Sequence, residues 1–430
     1  MDKNNDKPFI HTYHSPRGFY FYEVNKDTIV SVSENIYKYL NDSIEYDHLG
    51  DEDREYILKL KENGYLSSKH MTEIRHPDMD NLESSLATNC TQLLLQVTQS
   101  CNLICSYCPY ACKVDDKLQR SHSGKTMKWE TAKKAIDFFA EHSAKRDDLV
   151  FSFYGGEPII AFELIKKCVS YIEEVFLGKN YSFNMTSNGT LMTDEVINYL
   201  IEKDFDICIS LDGPASIHDI NRKRTDGTGS FSSAFSTLKK FAERYGKECR
   251  RHLSMNMVMD TDNDLEEVIS LFDDEFFKKY DIGITATIAD DRHLNEKKKM
   301  SEDFLKKFRY SYFIGFLSEF GIIDDLEVPI FVRNHIKDIR RKYSEYKCGN
   351  GELPDVGAPG GPCIPGQRRL FINVDGNFYP CERVSEISEC TKIGSLDSGF
   401  DLKKASAFLN VASTTAKKCK NCYAVQHCTL

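Results

Sequence analysis

The stretch Gln92-Leu-Leu-Leu-Gln-Val97-Thr-Gln-Ser-Cys101-Asn-Leu-Ile-Cys105-Ser-Tyr107-Cys108 decides how this chain is read. Its first half is an apolar run of strand length, and its second half sets three cysteines at the spacing C-x3-C-x2-C. Thiolates in a short loop after a strand can wrap one cuboidal iron–sulfur cluster. They can also hold zinc, with Cys112 as the fourth ligand that closes a tetrahedron. Spacing alone leaves both open.

Outward from that stretch, strand patterns alternate with longer helical ones, the mark of a parallel sheet built from βα units. Strands are expected at Gln92 to Val97, Leu149 to Phe153, Tyr181 to Met185, Asp206 to Leu211, His252 to Val258 and Ile282 to Thr287. Helices are expected at Trp129 to His142, Ile160 to Phe176, Thr193 to Lys203, Phe231 to Tyr245, Leu265 to Lys279 and Glu302 to Phe320. Six such units predict an α/β barrel or open sheet with its chemistry at the carboxyl ends of the strands. Before this region, residues 1–88 read as three short strands (Pro8 to Tyr13, Gly18 to Val24, Thr28 to Val32) and two helices, Glu34 to Leu40 and Asp51 to Asn63, the second opened by Asp51 as cap. After it, residues 326–430 read as loop-rich, with a hairpin turning at Asp375-Gly376. The middle domain is accordingly residues 89–325.

The chain has 430 residues, 41% hydrophobic and 28% charged, which is enough apolar material for several cores. Its formal charge of −10 argues against nucleic acid or an anionic membrane surface as a partner. The start lacks a signal peptide and no apolar run is long enough to span a bilayer, so a cytoplasmic protein is expected. Fifteen cysteines in such a chain point to metal or redox chemistry rather than disulfides. Cys90, Cys168, Cys208 and Cys249 stand apart in apolar segments and read as small buried hydrophobes.

The C-x3-C-x2-C spacing, Tyr107 before its last cysteine, and Gly155-Gly156-Glu157-Pro158 after the second strand together resemble the radical S-adenosylmethionine (SAM) enzymes. The resemblance implies a partial (β/α)6 TIM-like barrel. It also implies that Cys101, Cys105 and Cys108 hold a [4Fe-4S] cluster whose fourth iron binds SAM, the source of a 5'-deoxyadenosyl radical. Glycines 155 and 156 would let backbone approach the methionyl end, and Glu157 would accept from its ammonium. Thr186-Ser187-Asn188-Gly189 and Ser210-Leu-Asp212-Gly213 resemble segments lining the SAM pocket, which puts Ser187, Asn188, Ser210 and Asp212 beside the cofactor; each alone reads equally well as a turn. In His218-Asp219-Ile-Asn-Arg222, Arg222 corresponds to an arginine that pairs with the SAM carboxylate, while Lys223 and Arg224 read as solvated charge.

Further on, Cys363-x12-Gly376-x4-Cys381 and Cys419-x2-Cys422-x5-Cys428 resemble the SPASM extension, which binds auxiliary [4Fe-4S] clusters; for Cys419-x2-Cys422 alone, a zinc ribbon is the competing reading. The resemblance implies Cys348, Cys363 and Cys381 on one cluster and Cys419, Cys422 and Cys428 on another. The family pattern continues with further cysteines, which the sequence to Leu430 does not contain; Cys390 is a substitute ligand or a plain thiol. Residues 1–88 resemble the winged-helix-like element that binds the leader of a ribosomally made precursor peptide; a nonspecific cap on the barrel is the alternative. Cys348-Gly-Asn-Gly, Pro362-Cys363-Ile-Pro365 and Tyr379-Pro-Cys381-Glu-Arg-Val384 resemble maturases of cysteine-rich peptides. That resemblance implies an enzyme forming thioether links, as in sactipeptides and ranthipeptides, with a flavodoxin- or ferredoxin-type reductant. Carbon–carbon cross-linking, sulfatase maturation and a noncatalytic iron–sulfur sensor or peptide carrier stay open, and no residue is singled out as general base.

Overall fold

A computed structural model describes residues 7–108, 110, 113–114, 117–118, 123–289, 299–324, 328–345 and 352–428. Cys112 and Cys348 lie outside them. The chain forms two compact units, one made of residues 1–82, 343–363 and 406–430, the other of residues 83–342 and 364–405.

The smaller unit is built on a three-stranded antiparallel sheet, β1 (Ile10–Ser15), β2 (Gly18–Glu23) and β3 (Thr28–Val32), in that order. Ser33 caps the helix Glu34–Leu40 by accepting from the Ile36 N–H. The helix Asp51–Glu62 is capped by Gly50, so Asp51 is its first residue and not its cap; its carboxylate instead faces the positive end of the helix dipole. Phe21, Ile36, Leu49, Ile57, Leu60 and Leu66 form one core. Phe9, Val24, Met71, Ile74, Leu353 and Val425 form another, drawing on both ends of the sequence.

The larger unit carries six parallel strands in sequential order: β4 (Gln92–Thr98), β5 (Asp148–Gly155), β6 (Asn180–Ser187), β7 (Phe205–Ser210), β8 (Leu253–Met259) and β9 (Gly283–Ile288). This is the expected α/β architecture. On its other side β4 pairs in parallel with β10 (Leu370–Ile372), which turns through Asp375-Gly376 into antiparallel β11 (Asn377–Tyr379). Gly376 holds a φ of +80°, which the turn needs.

One face of the sheet is aromatic and covered by helices: Phe151 meets Phe139 and Phe176 with ring centroids 5.5 and 4.9 Å apart, and Phe183 stacks on Phe205 at 5.0 Å. The opposite face is polar across β6, β7 and β8. Thr186, Cys208 and Ser254 sit side by side in register across β6, β7 and β8, all half-buried. Cys208 therefore departs from the expectation of a buried hydrophobe, whereas Cys90, Cys168 and Cys249 meet it. The reason is strand periodicity: Phe205, Ile207 and Ile209 take the covered face and leave Asp206 and Cys208 on the other.

The expected helix Leu265 to Lys279 is interrupted. Asp274 leaves helical geometry (ψ 133°) and caps a new helix, Glu275–Lys279, by accepting from Phe276 N–H, so the run divides into Leu265–Ser270, a short 3-10 turn and that second helix. The region expected to be loop-rich contains a 16-residue helix, Ile330–Glu345. Among the described residues, no helix is long and apolar enough to cross a membrane.

Candidate functional site

The carboxyl ends of β4 to β7 converge on the cysteine loop. Where β5 ends, Gly156 N–H donates to Thr98 O at 3.0 Å and Glu157 N–H to Ser100 O at 2.8 Å. A Cβ on Gly155 would lie 1.9 Å from Thr98 O, and one on Gly156 2.2 Å from Ser100 O. Glycine is required here because two backbones touch: β5 braces the segment that leads into Cys101. The Cβ positions of both glycines are thus taken up by the chain itself.

Glu157 is fully buried and holds three donors: Ser187 Oγ (2.8 Å) and Ile159 N–H (3.2 Å) on Oε1, and Asn188 N–H (2.8 Å) on Oε2. Burial pushes its pKa up, and those three hydrogen bonds oppose the shift. It ties the end of β5 to the end of β6. Asn188 extends the tie, its Nδ2 lying 2.9 Å from Asn102 Oδ1 and 3.8 Å from Cys101 Sγ. Leu103 N–H also points at Cys101 Sγ, at 3.4 Å. Burial lifts the Cys101 thiol to about 11 and the Cys105 thiol to about 12, the nearby Arg222 charge working against the latter. Cys108 adds to the rise at Cys101 and at Cys105, and Cys101 to that at Cys105, so a cationic metal would offset the cost of forming these thiolates together.

The loop is pinned from its far side by the segment after β7. Ile104 N–H donates to Lys223 O (2.8 Å) and Ser106 N–H to Asn221 O (3.0 Å), while Leu103 bridges Arg224. A short helix, Ala215–Asn221, ends at Arg222 as its C-cap and delivers that side chain inward.

There Asp212 is the hub. Its Oδ1 accepts Val258 N–H (3.0 Å); its Oδ2 accepts Arg222 Nε (2.8 Å) and the Tyr107 hydroxyl. Arg222 lies over the Tyr107 ring, 5.4 Å from its centroid. Both charged partners are buried, and the Asp212 carboxylate is satisfied by Val258 N–H, the Tyr107 hydroxyl and Arg222 itself. His218 completes the set: Asp212 N–H donates to its Nδ1 (3.2 Å), which leaves the Nε2 proton for Ser230 Oγ (3.0 Å), and Ser230 Oγ donates to Arg222 O (2.7 Å). Burial holds the His218 pKa down to about 4. Among the described residues, the two Nη groups of Arg222 have no partner.

Tyr107, Glu157, Ser187, Asn188, Asp212 and Arg222 are thus assembled with Cys101, Cys105 and Cys108 around one spot, with Ser210 buried at the end of β7. Asn102, which also accepts the bond from Asn188 and donates to Thr190 Oγ1 at 2.7 Å, was not anticipated, nor was the part of His218 and Ser230 in orienting Asp212 and Arg222. An asparagine directly after the first cysteine and a histidine one turn before Arg222 were the available signals.

Of the later cysteines, Cys419, Cys422 and Cys428 lie half-buried in the smaller unit, Cys363 is exposed and Cys381 is half-buried with its pKa raised by burial. Cys390 is exposed, 3.0 Å from Ser388 Oγ. Among the described residues, no three His, Cys, Asp or Glu side chains converge on a point that one metal ion could fill. A four-iron cluster gives each thiolate a different iron and so asks for a wider spacing than a single ion does.

The Radical SAM superfamily model matches residues 95–272. An uncharacterized protein of Methanocaldococcus jannaschii is 34% identical over 147 residues, which are 34% of this chain and 46% of the relative; this chain therefore spans less than half of that relative. The cysteine-type anaerobic sulfatase-maturating enzyme of Clostridium perfringens is 24% identical over 346 residues, covering 77% of this chain and 85% of the relative. The solved structure described as native anSMEcpe with bound AdoMet superposes with a TM-score of 0.58 at 21% identity, covering 78% of this chain and 87% of that one. The fold is the radical SAM fold, that of a family that uses a [4Fe-4S] cluster and SAM.

Proposed function

We propose that this chain is a radical SAM peptide maturase that links a cysteine sulfur to a carbon in a ribosomally made, cysteine-rich peptide. The observation that carries the radical SAM half is the set of three loop thiols beside a buried guanidinium whose Nη groups have no partner among the described residues. Cys101, Cys105 and Cys108 would hold the [4Fe-4S] cluster, and SAM bound there supplies the hydrogen-abstracting radical. Arg222 offers its free fork to a carboxylate, a bidentate match. Asp212 and His218 keep that fork aimed, and Glu157 holds Asn188 against the loop. The half-buried row Thr186, Cys208 and Ser254 is the polar surface on which a peptide would lie.

The thioether half rests on the likeness of the Cys348, Cys363 and Cys381 segments to cysteine-rich-peptide maturases. The auxiliary-cluster ligands would be these three and Cys419, Cys422 and Cys428. A leader peptide would add a strand to the β1–β2–β3 sheet, whose outer strands each pair on one side only among the described residues, and a flavodoxin- or ferredoxin-type protein would supply electrons. The length of the match to the Clostridium perfringens enzyme supports a second reading, maturation of a sulfatase. Anaerobically reconstituted protein given SAM and dithionite should form 5'-deoxyadenosine, and Cys105→Ala should form none; product from that variant refutes the proposal. With the peptide encoded beside the gene, a loss of about 2 Da per link and a cysteine that resists alkylation mark thioether formation. Activation of a co-expressed sulfatase without either mark selects the second reading.

A further inference from the structure

The outer thiols Cys419, Cys422 and Cys428 form one wall of the unit that carries the N-terminal sheet. Val425 is buried in the core with Phe9 and Val24, and Cys419 packs against that core. The Tyr423 ring lies flat on His11 of β1, centroids 3.8 Å apart and planes 6° from parallel. Gln426 Nε2 donates to Val24 O at 2.6 Å, and His427 Nε2 lies 2.6 Å from Asp27 Oδ1, which also accepts the Tyr22 hydroxyl. His70 Nδ1 meets Lys420 O at 2.8 Å, and Gly360 N–H donates to Cys428 O.

The loop that makes these contacts has little structure of its own. From Lys420 to Cys428 it consists of turns, closed by Cys422 N–H on Cys419 O (3.1 Å) and Val425 N–H on Cys422 O (3.0 Å). Such a segment opens at small cost unless something closes it. Its three thiols are free and none is fully buried, so a cluster bound through them would close the loop and contribute its binding energy to the order of whatever the loop touches. What it touches is β1, β2 and the turn between β2 and β3.

We propose that metal occupancy of Cys419, Cys422 and Cys428 sets the order of the β1–β2 face, so that the N-terminal sheet is competent to receive a peptide strand only in the cluster-loaded protein. This rests on the auxiliary-cluster assignment made above. Linkage makes the effect reciprocal: a strand bound to the ordered sheet slows loss of metal from these thiols.

Amide hydrogen exchange on the full-length protein tests it, comparing anaerobically loaded enzyme with chelator-stripped enzyme and using the helix Trp129–His142 as internal reference. Stripping should speed exchange at residues 10–24 at least tenfold and leave the reference unchanged. Cys422→Ser should lower iron content and reproduce the loosening. Tyr423→Ala, which keeps every thiol, should loosen residues 10–24 and hasten chelator-driven iron loss. Equal exchange at residues 10–24 in loaded and stripped protein overturns the proposal, as does Cys422→Ser that sheds iron while those residues stay protected. Unchanged iron in Cys422→Ser overturns the ligand assignment beneath it, while 5'-deoxyadenosine formation reports on the proposed reaction separately.

Discussion

At the scale of single residues, the site is a set of buried polar groups that hold one another in place, and each makes a measurable demand. Glu157 accepts three donors. Replacing it with glutamine turns one acceptor into a donor facing a donor, and Glu157→Gln should cost about 1–3 kcal/mol in urea unfolding. His218 gives a pH signature. Unfolded, it takes up a proton near 6.5; folded, burial delays this to about 4. The unfolded chain therefore binds more protons between those values, and stability falls as pH drops through the window, by about 3 kcal/mol from this group. His218→Gln should flatten that part of the curve, measured as the difference in stability between wild type and variant from pH 7 to pH 4. Sequence singled out the thiols, Glu157 and Arg222, which the structure brings together at the strand ends. It did not show that Arg222 is already engaged by Asp212, since that pair depends on how the helix Ala215–Asn221 folds back onto the end of β7.

At the scale of elements, amphipathic helices with clear ends were readable residue by residue: Trp129–His142 and Phe231–Tyr245 fall where the periodicity put them. The interrupted helix after β8 was not, because apolar spacing continues through Asp274 and hides the cap that divides it. The helix Ile330–Glu345 had a signal, Val332, Ile336 and Ile339 at helical spacing, but its many charges and the cysteine-rich sequence after it made the region look irregular. The most exacting local contact is the crossing of β5 onto the end of β4. Gly156→Ala would drive a methyl into Ser100 O and displace the residue before Cys101. That variant should lose iron from the loop while keeping its helical circular dichroism, and full iron retention would show that the crossing tolerates a side chain.

At the scale of the whole molecule, strand order could be read from the alternation of patterns, and the sheet follows it from β4 to β9. The grouping of residues 406–430 with residues 1–82 could not, since nothing in the local pattern says which distant segment fills a half-built core. The partner on the far side of β4 is similarly remote. Phe371 of β10 lies opposite Leu94, is 1% exposed and packs with Tyr379. Phe371→Ala should cost about 3–5 kcal/mol in denaturant unfolding.

That pairing also fixes an order of events on the ribosome. Strands β5 to β9 can each dock beside a neighbour already made, but the outer flank of β4 stays bare until Leu370 has been synthesised. For most of its birth the polypeptide offers an unsatisfied row of amides directly beneath its cysteine loop, inviting association with other nascent chains. Weakening the late hairpin should therefore appear first as poor yield and inclusion bodies, before any defect in the purified protein.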